Sequence, residues 1–423
     1  MRNLLADITP LRENADYRRL WLGLGLSSIG TQLTVVAVSL QVYALSQSTL
    51  VVGLLGIFAL LPLVISGLYG GSIVDAHDRR KVALISSAVL WIITICIAVQ
   101  AWTGLQNVLV LYLLVAAQSG AAGINQAARS AIIPRLVRPA LLPAANALSM
   151  IIFGLGTTIG PLLAGVLVAG VGYAWTYTVD VLTFTAALWA LFKLPSLPPV
   201  GEVRRAGIKS VLEGLRFLGT KPNVRMTFLV DLCAMVFAMP RALLPAIGAV
   251  WLGGGATTAG VLLAAIAAGS LLAALFSGPL GHIRRQGLAV IWSITLWGAS
   301  ISGMGAAVAF GGHHAGAGTS PWIVAAVAAL VVSGIADSVS GVFRSTILQS
   351  ATPDNMRGRL QGVFIVVVAG GPRLGDLFAG GAGQVFGEAM AAVIGGILCI
   401  AAVWLMARWQ PRFVRYDARH PEP

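Results

Sequence analysis

Charge is what this sequence has least of. Asp, Glu, Lys and Arg make up 10% of the 423 residues, against about 25% in a soluble domain. A chain of this length in water needs far more polar surface to cover itself, so a soluble enzyme and a DNA-binding module are both excluded. Cysteine is scarce too. Cys96, Cys233 and Cys399 each lie inside an apolar stretch, which excludes a disulfide framework and a cysteine metal cluster and leaves small buried hydrophobes. No Gly-x-x-x-x-Gly-Lys-Ser/Thr segment occurs, so the chain does not hydrolyse ATP to drive itself. No His, Asp or Glu group has metal-ligand spacing, no nucleophile has a credible base, and no cofactor is expected. Residues 1–16 hold Asp7, Arg12, Glu13 and Asp16 but no long apolar core or small-residue cleavage site. The first apolar stretch is therefore expected to stay as a span rather than leave with a signal peptide.

Apolar residues and glycine fill the space. The hydrophobic fraction is 57%, the mean hydropathy +0.86, and there are 50 glycines. A spanning helix needs roughly 20 mostly apolar residues. Twelve such stretches stand out: 20–43, 50–73, 82–102, 108–125, 145–171 and 176–194, then 226–250, 259–276, 288–310, 322–342, 363–386 and 390–409. The expected fold is an all-α polytopic membrane protein with twelve transmembrane helices in two pseudo-symmetric six-helix halves. The halves are residues 1–194 and 226–409, with a linker at 195–225 and a tail at 410–423. In the linker, Ile208, Val211, Leu212, Leu215 and Leu218 follow helical spacing, with Lys209, Glu213 and Arg216 interleaved. That pattern predicts a short amphipathic helix at the membrane surface.

The net charge of +13 becomes an argument about topology. Arg18, Arg19, Arg79, Arg80, Lys81, Arg135, Arg138, Arg284, Arg285 and the basic residues of linker and tail fall on one side of the ladder. The opposite connections hold almost none, Arg241 being the main exception. Lys and Arg are retained in cytoplasmic loops, so both termini are expected in the cytoplasm. The lipid bilayer is then the expected partner, and nucleic acid is not needed to explain the charge. Trp21, Trp102, Trp175, Trp251, Trp322 and Trp409 fall near span ends and suit an interfacial belt.

After the second span the chain runs Gly71-Ser72-Ile73-Val74-Asp75-Ala76-His77-Asp78-Arg79-Arg80-Lys81. This resembles the loop between helices two and three of the major facilitator superfamily, G-x-x-x-D-R/K-x-G-R/K-R/K. Gly71, Asp75, Arg79 and Arg80 match, while Ala76 stands where a basic residue is usual and Asp78 where glycine is usual. The resemblance implies a cytoplasmic gate at those four residues; a solvated charged loop is the alternative. In the second half the corresponding loop carries His282 at the Asp75 position. Gly156, Gly160, Pro161 and Gly165 in the fifth span are similar to the G-x-x-x-G-P-x-x-x-G pattern of exporters in this superfamily. There, small residues allow close helix approach and Pro161 bends the span. Together with residues 14–18, 128–148 and 349–359, the chain resembles the drug and siderophore exporter branch that holds enterobactin exporters and macrolide efflux proteins.

The resemblance implies a secondary exporter moving an amphiphilic small-molecule substrate by alternating access, with protons as coupling ion and the chain acting as a monomer. Spans one, four, seven and ten would line its cavity, and Gln32, Gln118, Asp231 and Asp337 are their polar candidates. Ionisable groups inside spans are costly and usually have a partner or a role. Asp180, Asp231, Asp337, Arg373 and Asp376 are accordingly candidates for proton coupling or substrate contact, with structural ion pairs or helix caps as the alternative. Asp337 and Arg344 are seven apart and share a helix face, about 10 Å apart by rise; Arg373 and Asp376 are three apart and can pair. Arg129 and Arg344, at expected helix ends, are gate candidates. Two readings stand beside export: an importer of the same fold for a small metabolite, and a non-transporting membrane scaffold or sensor acting through the linker.

Overall fold

The computed structural model of the chain describes residues 7–198, 208–278, 280, 283–312, 320–352 and 354–419. In lipid a backbone must satisfy its own polar groups, which long apolar segments do as helices. The elements are α1 (Thr9–Glu13), α2 (Ala15–Ser46), α3 (Thr49–Ala76), α4 (Arg79–Trp102), α5 (Val108–Leu136), α6 (Leu142–Phe192), α7 (Ile208–Thr220), α8 (Pro222–Phe237) and α9 (Leu244–Ala246). They continue with α10 (Gly255–Leu275), α11 (Gln286–Gly311), α12 (Ile323–Ser350), α13 (Asp354–Phe386), α14 (Glu388–Trp409) and α15 (Pro411–Val414). No strand occurs among the described residues.

Among those residues nine helical runs are long and apolar enough to cross a membrane. One of them holds two spans, because α6 breaks at Gly172 with φ 81° and ψ 178°, a backbone that glycine alone adopts without strain. With α13 and the pair α8–α9 the twelve expected spans are accounted for, and the chain is a multi-pass all-α membrane protein. Helix α7 covers Ile208–Thr220, and its Leu218 is buried.

Three boundaries differ from expectation. The seventh span is not continuous over 226–250: α8 stops at Phe237, the chain turns through residues 238–243, and it resumes as α9 and a π-turn at Ile247–Trp251. Pro240 and Pro245 explain this, since each removes a backbone donor and crowds the preceding turn. Helices α5 and α12 run on to Leu136 and Ser350, past the expected ends at 125 and 342. Arg129 and Arg344 therefore sit within helices rather than at their termini.

The contacts divide the chain into two units, Met1–Gln41 with Phe58–Gly207 and Val42–Ile57 with Ile208–Pro423. In the first, Asn14 Nδ2 donates to the Leu136 carbonyl at 2.7 Å, Tyr17 OH donates to the Ala145 carbonyl at 3.2 Å, and Glu13 pairs with Arg138. At the other end of this bundle Tyr177 OH donates to Gln41 Oε1 at 2.7 Å, and Gln41 and Gln100 exchange amide bonds of 3.3 and 3.1 Å. Close packing of α2 on α6 depends on glycine, because a Cβ at Gly160 would lie 2.6 Å from Gln32 Cβ.

The second unit takes in the α2–α3 turn. Thr49 Oγ1 donates to the Gly380 carbonyl at 3.0 Å, and a Cβ at Gly56 would lie 3.0 Å from the Arg373 carbonyl. Helices α8, α11, α12, α13 and α14 share one apolar core that includes Met226, Ile294, Leu330 and Cys399. The segment after α14 folds back on it: Phe413 and Tyr416 are buried, Ala418 N–H donates to the Arg284 carbonyl at 3.0 Å, and Arg284 pairs with Asp417.

Candidate functional site

The second unit holds the densest group of charges inside apolar helices. Asp231 comes from α8; Asp337 and Arg344 come from α12. Seven residues separate the latter two, placing them on one face, and helical side chains lean toward the N-terminus, so Arg344 reaches back over two turns. Its guanidinium pairs with Asp231, and its Nη2 lies 3.6 Å from Asp337 Oδ1. The side chains of Arg344 and Asp231 are 12% and 8% exposed, whereas Asp337 is 40% exposed. All three line a cavity of about 250 Å³, walled by Phe228, Met235 and Leu348 and edged by Thr227, Ser338 and Ser345.

Two carboxylates meet one guanidinium here, so the trio carries one excess negative charge when both acids are ionised. Holding that excess away from water is costly. A proton on either acid, or a cationic or hydrogen-bond-donating group in the cavity, balances it. Arg241, exposed in the turn after α8, acts electrostatically on Asp337 and also on Asp376. Arg373 and Asp376 influence each other on α13, where their backbone packs against Gly53 and Gly56 of α3. The fold thus gathers Asp231, Asp337, Arg344, Arg373 and Asp376 into one unit, with Arg241 among them. Sequence reading had set Arg241 aside as a topological exception; its place directly after the Pro240 break was the available signal.

The remaining candidates fall in the first unit. Asp180 is fully buried and accepts hydrogen bonds from Thr34 Oγ1 at 2.6 Å and Thr183 Oγ1 at 3.4 Å. Gln32 packs against Gly160, and neither it nor Gln118 bonds to a described residue. Arg129 lies over the Phe184 ring, 6.0 Å from its centroid, with no hydrogen-bond partner for Nε or Nη2 among the described residues. Gly156, Gly160, Pro161 and Gly165 are buried in α6, whose one residue with non-helical φ/ψ is Gly172.

Around the α3–α4 loop, Gly71 has open space beside it; the side chain of Asp75 and the whole of His282 lie outside the described residues. Arg79 N–H donates to the Leu197 carbonyl at 3.0 Å, and Arg80 Nη2 donates to the Phe192 carbonyl at 2.6 Å. Asp78 departs from the motif because it has different work. Its carboxylate caps α4, accepting from the N–H groups of Arg80 at 2.9 Å and Lys81 at 3.3 Å, from the Ser196 hydroxyl, and from Leu197 N–H at 3.3 Å. Burial opposes the charge, but these donors outweigh it and hold the Asp78 carboxyl below the usual carboxylate range. Asp directly before a helix is a preferred cap, and that signal was legible in the sequence.

A multi-pass helical bundle with a charged cavity between its helices defines a membrane transporter. The transmembrane secretion effector family of the major facilitator superfamily matches residues 5–421, and the chain belongs to it. It is a transporter, not an enzyme. It is 30% identical over 414 residues to the enterobactin exporter EntS of Escherichia coli (strain K12), covering 97% of this chain and 96% of that one. To the EntS of Shigella boydii serotype 18 it is 31% identical over 404 residues, covering 95% and 94%. Its fold is similar to that of a bacterial homologue of the iron transporter ferroportin in an inward-facing state, with TM-score 0.67, 15% identity, and 95% and 98% of the two chains covered. It is also similar to the nucleoside transporter NupG, with TM-score 0.73, 12% identity, and 93% and 98% covered.

Proposed function

We propose that the protein exports an amphiphilic, siderophore-like or drug-like small molecule across the bacterial inner membrane in exchange for protons. The observation that carries this reading is the Asp231–Arg344–Asp337 trio beside its cavity. Both termini lie in the cytoplasm, as the one-sided basic residues favour. Halves 1–194 and 226–409, joined by the 195–225 linker, alternate access around the site as a monomer. With both acids ionised, the excess negative charge favours a hydrogen-bond-donating or cationic part of the cargo, while Phe228, Met235 and Leu348 take its apolar part. A proton arriving from outside neutralises Asp337, removes that attraction and displaces the cargo; loss of the proton inside resets the trio. Arg373 and Asp376 support this charge balance. Asp75, Arg79, Arg80 and Arg129 belong to the cytoplasmic gate with Gly71. Export from relatives named as enterobactin exporters supports the direction and a siderophore-like cargo.

Proteoliposome flux with an imposed pH gradient tests this. A siderophore or cationic drug is expected to move uphill against the proton gradient in the wild type. Asp337→Asn and Asp231→Asn are expected to abolish that response while the purified proteins still unfold cooperatively. Wild-type flux indifferent to the gradient for every compound tried overturns antiport.

A further inference from the structure

The first unit contains a second, larger cavity that the transport cycle above does not use. It is a groove of about 910 Å³ along α4, between the end of α3 and the middle of α5. Its rim at the basic end is made by His77, Asp78 and Lys81, and its wall by Ile85, Val89 and Ile93, over small side chains of α5 such as Ala121. The wall is open: Ile85 is 64% exposed and Val89 42%. From Lys81 to Ile93 the groove follows α4 for about 18 Å at 1.5 Å per residue, close to the ~15 Å depth of one bilayer leaflet.

The rim is polarised as well. Asp78 is the one acid on it among the described side chains, and its oxygens are occupied by the α4 cap, Ser196 and Leu197. Lys81 is exposed and makes no ion pair among the described residues, and His77 Nδ1 donates to the Ile73 carbonyl at 3.0 Å, which leaves Nε2 as an acceptor for a headgroup hydroxyl. Arg79 and Arg80 add positive charge on the same turn. A positive head over an apolar, leaflet-deep trough matches one chemistry. Basic pockets between transmembrane helices hold anionic headgroups, while the trough beneath them suits an acyl chain.

We infer that this groove is a binding site for an anionic phospholipid, its phosphate held by Lys81, a headgroup hydroxyl donating to His77, and one acyl chain laid along Ile85, Val89 and Ile93. The site is separate from the Asp231–Arg344–Asp337 trio, so it stands or falls independently of proton exchange. The test uses the purified full-length protein in detergent, with thermal unfolding followed as phosphatidylglycerol, phosphatidylcholine or inorganic phosphate is added. Phosphatidylglycerol is expected to raise the midpoint by at least about 3 °C more than phosphatidylcholine does. Lys81→Glu is expected to erase the difference, Lys81→Arg to keep it, and Ala121→Phe, which fills the floor with the rim intact, to reduce it. Lys81 is exposed, so its substitution leaves the fold in place. Equal shifts from the two lipids, protection by phosphate alone, or a preference that survives Lys81→Glu would each overturn the inference.

Discussion

Asp180 and Asp231 are both aspartates on membrane helices, one in each unit, and their surroundings differ in kind. Asp180 is enclosed and receives hydrogen bonds from Thr34 and Thr183. Its partners are neutral hydroxyls. Asp231 shares a guanidinium with Asp337, and the odd charge count is left beside a cavity. The first arrangement gives its carboxylate two hydroxyl donors and no cation; the second couples two carboxylates to one cation beside a cavity. The contrast is between a carboxylate closed off by its neighbours and a pair whose charge balance a ligand can reach.

The units also share a device. Each ties the segment after its last span back to the start of its third: Arg79 N–H donates to Leu197 O in one, and Ala418 N–H donates to Arg284 O in the other, both at 3.0 Å. The acid that locks the tie changes sides, lying at the helix start as Asp78 in the first and on the tail as Asp417 in the second.

The sharpest break of the comparison is Arg344→Met. It strands Asp231 without its cation, which is expected to cost about 3–5 kcal/mol and to abolish transport. Arg344→Met combined with Asp231→Leu is expected to regain thermal stability but no flux; recovered flux would make the trio architectural like Asp180. Next in size is Asp180→Ala, which leaves the Thr34 hydroxyl unpartnered, while Thr183 keeps its 2.9 Å bond to the main-chain carbonyl at position 180. It is expected to cost about 1–3 kcal/mol in unfolding experiments and to leave transport per folded molecule unchanged. A selective loss of transport would erase the contrast between the units. Smallest is Asp78→Ala, which removes a helix cap worth about 1 kcal/mol. Because the folded carboxyl is held below its unfolded value, its contribution is full at neutral pH. It is lost as pH falls below about 4 and through the folded value. The gap between wild type and variant in thermal unfolding should therefore narrow from pH 7 to pH 3.

Much of the architecture was legible beforehand. Span number follows from apolar length, because the bilayer sets one scale for every helix. The linker helix α7 was legible from the spacing of Ile208 to Leu218. The interrupted seventh span was missed although Pro240 and Pro245 were in view, since hydropathy counts side chains and not backbone donors. Arg344 was read as a gate at a helix end because α12 was cut at its apolar limit, whereas the helix continues through the polar residues to Ser350.

The sequence alone determined that this chain lives in a membrane and crosses it many times. Those are properties of single segments meeting a solvent, and composition suffices for them. Only the tertiary structure decided which charges act together. Asp231 and Arg344 are more than a hundred residues apart, and a pairing at that separation depends on how α8 and α12 pack. The same packing satisfied Asp180 with hydroxyls and left Asp337 facing a cavity, a distinction that no local pattern around either aspartate contains.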